Sequence, residues 1–325
     1  MNDGYVFIGN DAVGNFVESK LDACGFTRVE DAGSASVAIT YCTNSPAIED
    51  AYFDDGGLVK CMPPKSLLID LSACAPSLAR EISAVCAVND LRFVEAPLVF
   101  DAPCDAGALL DSSALGCFVA GEEADVEEAA EILEILAVDV EIVGSRSGSA
   151  QLVKAARTIQ DCAQLLSAVE AEALFAAARE SSNSVDCYEG DVPLSTDLAA
   201  QVVQAIENRS FHGAYTVEML MGEVAAAMTA ADDVELILPQ VEALTHLLEI
   251  LAVVGGVDMN PAALSLLYRS EEAGNAAGLD WSRAESFFLH DEHEHEHEDD
   301  GYSDSGYDDL DMGGYPGTLG SYSSN

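Results

Sequence analysis

Positive charge is what this sequence lacks. Only 13 Lys and Arg residues stand against 58 Asp and Glu residues in 325, a formal net charge of −45. Such a chain repels phosphate, which argues against nucleic acid or an anionic membrane surface as partner. Any anionic cofactor or substrate needs a dedicated local site. Long apolar runs are also missing: none reaches the ~18 residues of a membrane span. The longest candidate, Leu244 to Val254, is interrupted by His246 and Glu249 and reads as a buried helix. No basic stretch followed by an apolar one opens the chain, so no secretory leader and a cytoplasmic location are expected. CxxC pairs are absent among the nine cysteines, whose odd number and apolar settings predict reduced, partly buried thiols.

Apolar residues are plentiful, at 49% of the chain, and the length allows two domains. Residues 1–149 alternate short apolar runs with helical patterns. The runs are Tyr5–Ile8, Ser36–Tyr41, Ser66–Leu71, Arg92–Glu95, Leu115–Ala120 and Val140–Val143. That alternation predicts a mostly parallel, Rossmann-like sheet of βαβ units. Residues 150–289 are helical in pattern, with helices expected over Ser149–Arg179, Ser195–Ile206, Tyr215–Ala230, Val234–Val254 and Pro261–Ala277. The predicted fold class is therefore α/β followed by all-α, joined by a long helix. Residues 290–325 carry 11 acidic residues and no Lys or Arg, and read as a disordered tail; the body keeps −34.

The segment Val6-Phe7-Ile8-Gly9-Asn10-Asp11-Ala12-Val13-Gly14 has the strand–turn–helix shape of a dinucleotide-binding turn. In a full G-x-G-x-x-G turn the glycines permit the bend, the approach of pyrophosphate and the packing of helix on strand. Here Gly9 and Gly14 take the first and third places. Further landmarks follow in order: Val37-Ala38-Ile39-Thr40-Tyr41-Cys42-Thr43, Leu68-Ile69-Asp70-Leu71-Ser72 with Pro76, Phe93-Val94-Glu95-Ala96-Pro97, and Gly148-Ser149-Ala150-Gln151-Leu152-Val153-Lys154. Together they make residues 5 to about 285 resemble the β-hydroxyacid dehydrogenase family, which contains 3-hydroxyisobutyrate and 6-phosphogluconate dehydrogenases.

That resemblance implies an oxidoreductase using NAD or NADP on a small-molecule substrate. It implies that Gly9, Asn10, Ala12, Val13, Gly14, Cys42 and Thr43 hold the cofactor, that Ser72 and Thr158 lie beside the substrate, and that Lys154 exchanges a proton with the substrate hydroxyl. Glu30, 21 residues after Gly9, stands where an acid often takes hydrogen bonds from the ribose. Lys154 is one of only four lysines, and it sits near the start of the predicted long helix, where the positive end of the dipole disfavours an ammonium. The same resemblance, with the Ala- and Leu-rich helical half, implies a homodimer paired through that half.

The pattern departs from the family at five places. Asp11 takes the second glycine's position. Only residues 31–36 separate Glu30 from the next strand, where the family has another helix and strand. Val99-Phe100-Asp101 replaces a Ser-Gly-Gly substrate loop, so Asp101 is expected to repel a carboxylate. Thr158 stands in place of an asparagine four residues after the lysine, on the same helical face. Gly222-Glu223 replaces a Lys-Asp pair on the nicotinamide side. These departures keep a second reading open, a binding or scaffolding protein without turnover. The tail, with four of six histidines between His290 and His297, leaves open a metal-binding role, although no metal ligand is assigned.

Overall fold

The computed structural model describes residues 4–105, 107, 109, 112–180 (Glu180 by its backbone) and 191–284. The acidic tail and its histidines lie outside the described residues. The sheet runs through β1 (Gly4–Gly9), β2 (Thr27–Arg28), β3 (Val37–Tyr41), β4 (Leu67–Asp70), β5 (Arg92–Glu95), β6 (Leu98–Phe100), β7 (Leu115–Gly121) and β8 (Asp139–Gly144). Its order is β2-β1-β3-β4-β5-β7-β6, with β8 on the other side of β7. The pairs from β2 to β5 are parallel, β7 runs antiparallel to β5 and β6, and β8 is parallel to β7.

Helices cover both faces, so most strands read as continuous apolar runs rather than alternating ones. One face carries Tyr5, Phe7, Ile39, Leu67, Ile69 and Val94, under α1 (Asp11–Ala23) and α5 (Glu123–Leu136). The alternate residues Val6, Ala38, Leu68 and Phe93 face α2 (Ser45–Phe53), α3 (Leu58–Cys61) and α4 (Pro76–Val88). The first core continues into the helical half through Cys162, Leu165 and Val169 of α6 (Ser149–Glu180). That helix has 32 residues, about 48 Å at 1.5 Å per residue. It packs against α7 (Asp197–Glu207), α8 (Val217–Asp232) and α9 (Pro239–Val253), and against β7 and β8. Described residues up to Ala284 form one compact unit.

The expected strands and the long helix are found within a residue or two. Two helices differ. The one expected from Val234 begins at Pro239, whose ring suits the first helical position, and Glu235 before it is left-handed at φ 57°. The one expected over Pro261–Ala277 is a 3-10 stretch, Pro261–Tyr268, followed by α10 (Glu271–Ala276). Asn260 caps the first piece and Ser270 the second, so two caps break what periodicity alone joins. Between β2 and β3 a single 3-10 turn, Ala32–Ser34, stands in place of a helix and a strand, as the short 31–36 connection predicts. Among the described residues no helix is long and apolar enough to cross a membrane, and no group of three or more His, Cys, Asp or Glu is arranged around a metal position.

Candidate active site

The order β2-β1-β3 puts the change of winding direction between β1 and β3, the place where open α/β sheets hold ligands beyond their strand ends. The loops that follow these two strands contain Gly9–Gly14 and Cys42–Thr43. Gly9 adopts φ +130°, and a Cβ there would lie 1.9 Å from the Tyr41 carbonyl oxygen, so glycine is required. Gly14 presses α1 onto β1, since a Cβ would meet the Phe7 ring at 2.8 Å. Asn10 donates its backbone N–H to Tyr41 at 2.8 Å. Its side chain caps α1, accepting from Ala12 N at 3.0 Å and Val13 N at 3.2 Å.

This turn fits a pyrophosphate in shape. Gly9, Asp11 and Ala12 are exposed at the N-terminus of a 13-residue helix, where backbone N–H groups and the dipole favour an anion. Two of those N–H groups are held by Asn10's own side chain, a cap worth about 1 kcal/mol that a phosphate oxygen would replace. The exposed Asp11 side chain adds a negative charge beside them. Glu30 is exposed on the loop after the two-residue β2, on the far side of β1 from Cys42 and Thr43.

Lys154 stands elsewhere in the sequence, in a pocket whose lining includes no residue of that turn or of Cys42–Thr43. It is 4% exposed, and its Nζ lies 2.7 Å from Glu223 Oε2 of α8, which is 7% exposed. Thr158, one turn on along α6, donates its hydroxyl to the same carboxylate oxygen at 3.3 Å. Lys154, Thr158, Glu223, Asp161, Phe100 and Tyr215 surround a small pocket of about 30 Å³. The Phe100 and Tyr215 rings meet at 4.7 Å between centroids. Burial pushes the Tyr215 phenol well above its usual range, and the Glu223 charge adds to it. Burial also raises the Asp161 carboxyl, against the pull of Arg157.

The two halves are joined by α8. Thr43 donates its hydroxyl to Glu218 at 3.2 Å. One turn on, Gly222 lies so close to the Thr43 backbone that a Cβ would sit 1.7 Å from its carbonyl oxygen. A chain of contacts thus links the glycine-rich turn, the loop after β3, α8 and the buried lysine. Cys42 is buried in the loop after β3. Ser72 is fully buried; its hydroxyl accepts from Cys42 N at 2.9 Å and its backbone carbonyl accepts from Gln151 Nε2 at 2.9 Å. It is not among the residues lining the Lys154 pocket. Burial pushes the Cys42 thiol up to about 12, so its backbone N–H is the part in use. Asp101 also stands apart from the pocket lining, half exposed, with Arg157 Nη2 at 3.5 Å.

Sequence reasoning missed Asp161 and Tyr215 as members of the pocket and Glu95 as a cap, while Phe100 was named only as part of the replaced substrate loop. Asp161 is visible in hindsight at i+7 from Lys154, on the helical face that carries Thr158. Glu95 is fully buried at the end of β5 and accepts from Gly148 N at 2.9 Å and Ala150 N at 2.8 Å. It caps the N-terminus of α6, so the positive end of that dipole is already offset one turn before Lys154. Burial pushes the Glu95 carboxyl up to about 7 from its ordinary 4.5, against the pull of those N–H groups. A raised carboxyl supports the fold fully below pH 4.5 and loses that contribution as pH rises through about 7. The wild-type urea midpoint should therefore fall relative to Glu95→Gln across that window. Parallel midpoints would contradict the assignment.

Comparison with known proteins agrees with this geometry. Residues 8–144 match the family model of the NAD binding domain of 6-phosphogluconate dehydrogenase. The chain is 24% identical over 238 residues, 73% of its length and 79% of the other's, to an uncharacterised oxidoreductase of Synechocystis. It is similar in fold to a 3-hydroxyisobutyrate dehydrogenase from Salmonella typhimurium, with a TM-score of 0.64 and 17% identity over 81% of this chain and 99% of that one. It is similar in the same way to Psf3, solved with NADP+, with a TM-score of 0.65 and 16% identity over 82% of this chain and 99% of the other. The resemblance drawn from the sequence motifs thus holds for the fold, and residues 8–144 match a model of an NAD binding domain.

Proposed function

We propose that this chain is an NAD(P)-dependent oxidoreductase resembling the β-hydroxyacid dehydrogenases in its reaction, hydride transfer with Lys154 as the proton-transferring residue. The observation that carries the reading is the buried Lys154–Glu223 pair at 2.7 Å, in which Glu223 belongs to α8, the helix whose Gly222 packs against Thr43 of the loop after β3. When bound, the nicotinamide cofactor supplies or accepts hydride. Gly9, Asn10, Ala12, Val13 and Gly14 would hold its pyrophosphate. Thr43 and Cys42 would flank it through their backbone, and Glu30 is left the ribose role at the edge. Lys154, with a carboxylate as counter-charge, is arranged as an acid: it holds a proton to give to a carbonyl oxygen as hydride reaches the carbon. Thr158 keeps Glu223 in place, and the apolar rings of Phe100 and Tyr215 exclude water. Ser72 acts as a positioning residue, since its hydroxyl holds the Cys42 backbone.

Asp11 gives a sharp test. Removing its charge beside the pyrophosphate position should tighten reduced-cofactor binding several-fold in Asp11→Gly, and less in Asp11→Asn, by nicotinamide fluorescence. Equal affinity in all three proteins would remove this turn from the cofactor site. The alternative reading, a binding protein that keeps the fold without turnover, is favoured by the Asn10 cap, which already holds two of the helix N–H groups. We propose further that the chain is a homodimer paired through the helical half, where Val234, Leu236 and Ile237 are exposed. Light scattering at tens of micromolar should return twice the chain mass, and a monomer mass contradicts the pairing.

A further inference from the structure

We infer that the Lys154 pocket takes an uncharged or cationic reacting compound and rejects carboxylates, with Glu223 as the residue that sets this preference. The inference rests on the oxidoreductase reading and concerns its substrate. A carboxylate is held in a protein by a cation with donors to spare. Among the described residues Lys154 is the one cation lining the pocket, and its Nζ is already 2.7 Å from Glu223. The next cation, Arg157, is spent twice: its Nε lies 2.8 and 3.0 Å from the two oxygens of Asp161, and its Nη2 3.5 Å from Asp101. The pocket lining therefore sets one cation, Lys154, against two carboxylates, Glu223 and Asp161. A substrate carboxylate seated against Lys154 would also sit against Glu223, in a setting too buried for solvent to screen the repulsion.

The remaining lining fits the other charge types. Phe100 and Tyr215 offer ring faces, which favour apolar and cationic groups. Glu223 and Asp161 offer acceptors to a hydroxyl or an ammonium. The preference is thus built by a buried carboxylate, Glu223, and a half-buried one, Asp161, on facing helices. Asp101, the acid that the sequence singles out for this role, is half exposed and tied to Arg157.

Three methyl ketones of matched size separate the cases: hydroxyacetone, aminoacetone and pyruvate. In the reductive direction hydride adds to the carbonyl carbon, the C=O π bond becomes a C–O single bond, and Lys154 supplies the proton to oxygen. The reduced nicotinamide leaves oxidised. The full chain, saturated with NADPH or NADH, should reduce the uncharged and cationic ketones with kcat/KM at least tenfold above pyruvate. Ligand-observed NMR on the chain loaded with oxidised cofactor should show the same order of binding, whatever the rate of chemistry. Glu223→Gln should narrow the gap in favour of pyruvate. Should that variant not fold, Asp161→Asn should narrow it in the same direction. Equal or better use of pyruvate by the wild-type chain would overturn the inference, and so would binding of none of the three to the cofactor-loaded protein. Failure of both NADH and NADPH to saturate the chain would instead overturn the oxidoreductase reading, so the two failures are distinguishable.

Discussion

Lys154→Met is expected to cost about 3–5 kcal/mol of stability, measured by urea unfolding, because it leaves Glu223 as a buried carboxylate without its cation. Glu223 is 7% exposed, so solvent relieves little of that cost. The loss is a large share of the 5–15 kcal/mol that holds a typical domain together. The double variant Lys154→Met with Glu223→Gln should recover most of it, since a neutral pair of similar volume removes the stranded charge. Turnover behaves differently. If Lys154 is the proton donor, both variants should lose about 10²–10⁴ in kcat, and the stable double variant should bind cofactor as the wild type does. Recovery of turnover along with stability in the double variant would make the pair purely structural.

Gly222→Ala should separate two effects that normally travel together. A methyl group at Gly222 would sit 1.7 Å from the Thr43 carbonyl oxygen, so α8 and the loop after β3 must part. The Thr43–Glu218 hydrogen bond goes with that movement. The expected loss is about 1–3 kcal/mol, typical of an added carbon in a packed contact. We propose that the nicotinamide is seated where α8 and this loop meet, so that the closed contact competes with the cofactor. The variant should therefore bind NADH or NADPH more tightly than the wild type, because the separation has already been made. A variant that loses stability and cofactor affinity together would show that this contact does not gate the site.

The alternation of apolar runs with helical periodicity, and the glycines at 9 and 14, were enough to place the sheet, the long helix and the turn. Those features are local: a two-face-buried strand and a tight turn write themselves into consecutive residues. The site was less legible because its members come from distant segments. Nothing near Lys154 in the sequence names Glu223 as its partner, 69 residues on, or Tyr215 as its neighbour. The departure of Gly222-Glu223 from the family pattern was visible, but its meaning was not. Loss of a lysine there reads as a missing charge, whereas the structure gives it a packing role against Thr43. Asp101 was expected to repel a carboxylate; its ion pair with Arg157 was not legible in the sequence. The overall charge was the poorest guide, since the buried site turns on a handful of paired groups rather than on the sum of −45.

Titration of the full chain with NADPH and with NADH, following nicotinamide fluorescence, tests the central claim most directly. The account predicts saturable binding of at least one of them in the micromolar to millimolar range, weakened by Gly9→Ala, whose new Cβ would meet the Tyr41 carbonyl. Absence of binding by both at millimolar concentration would contradict it.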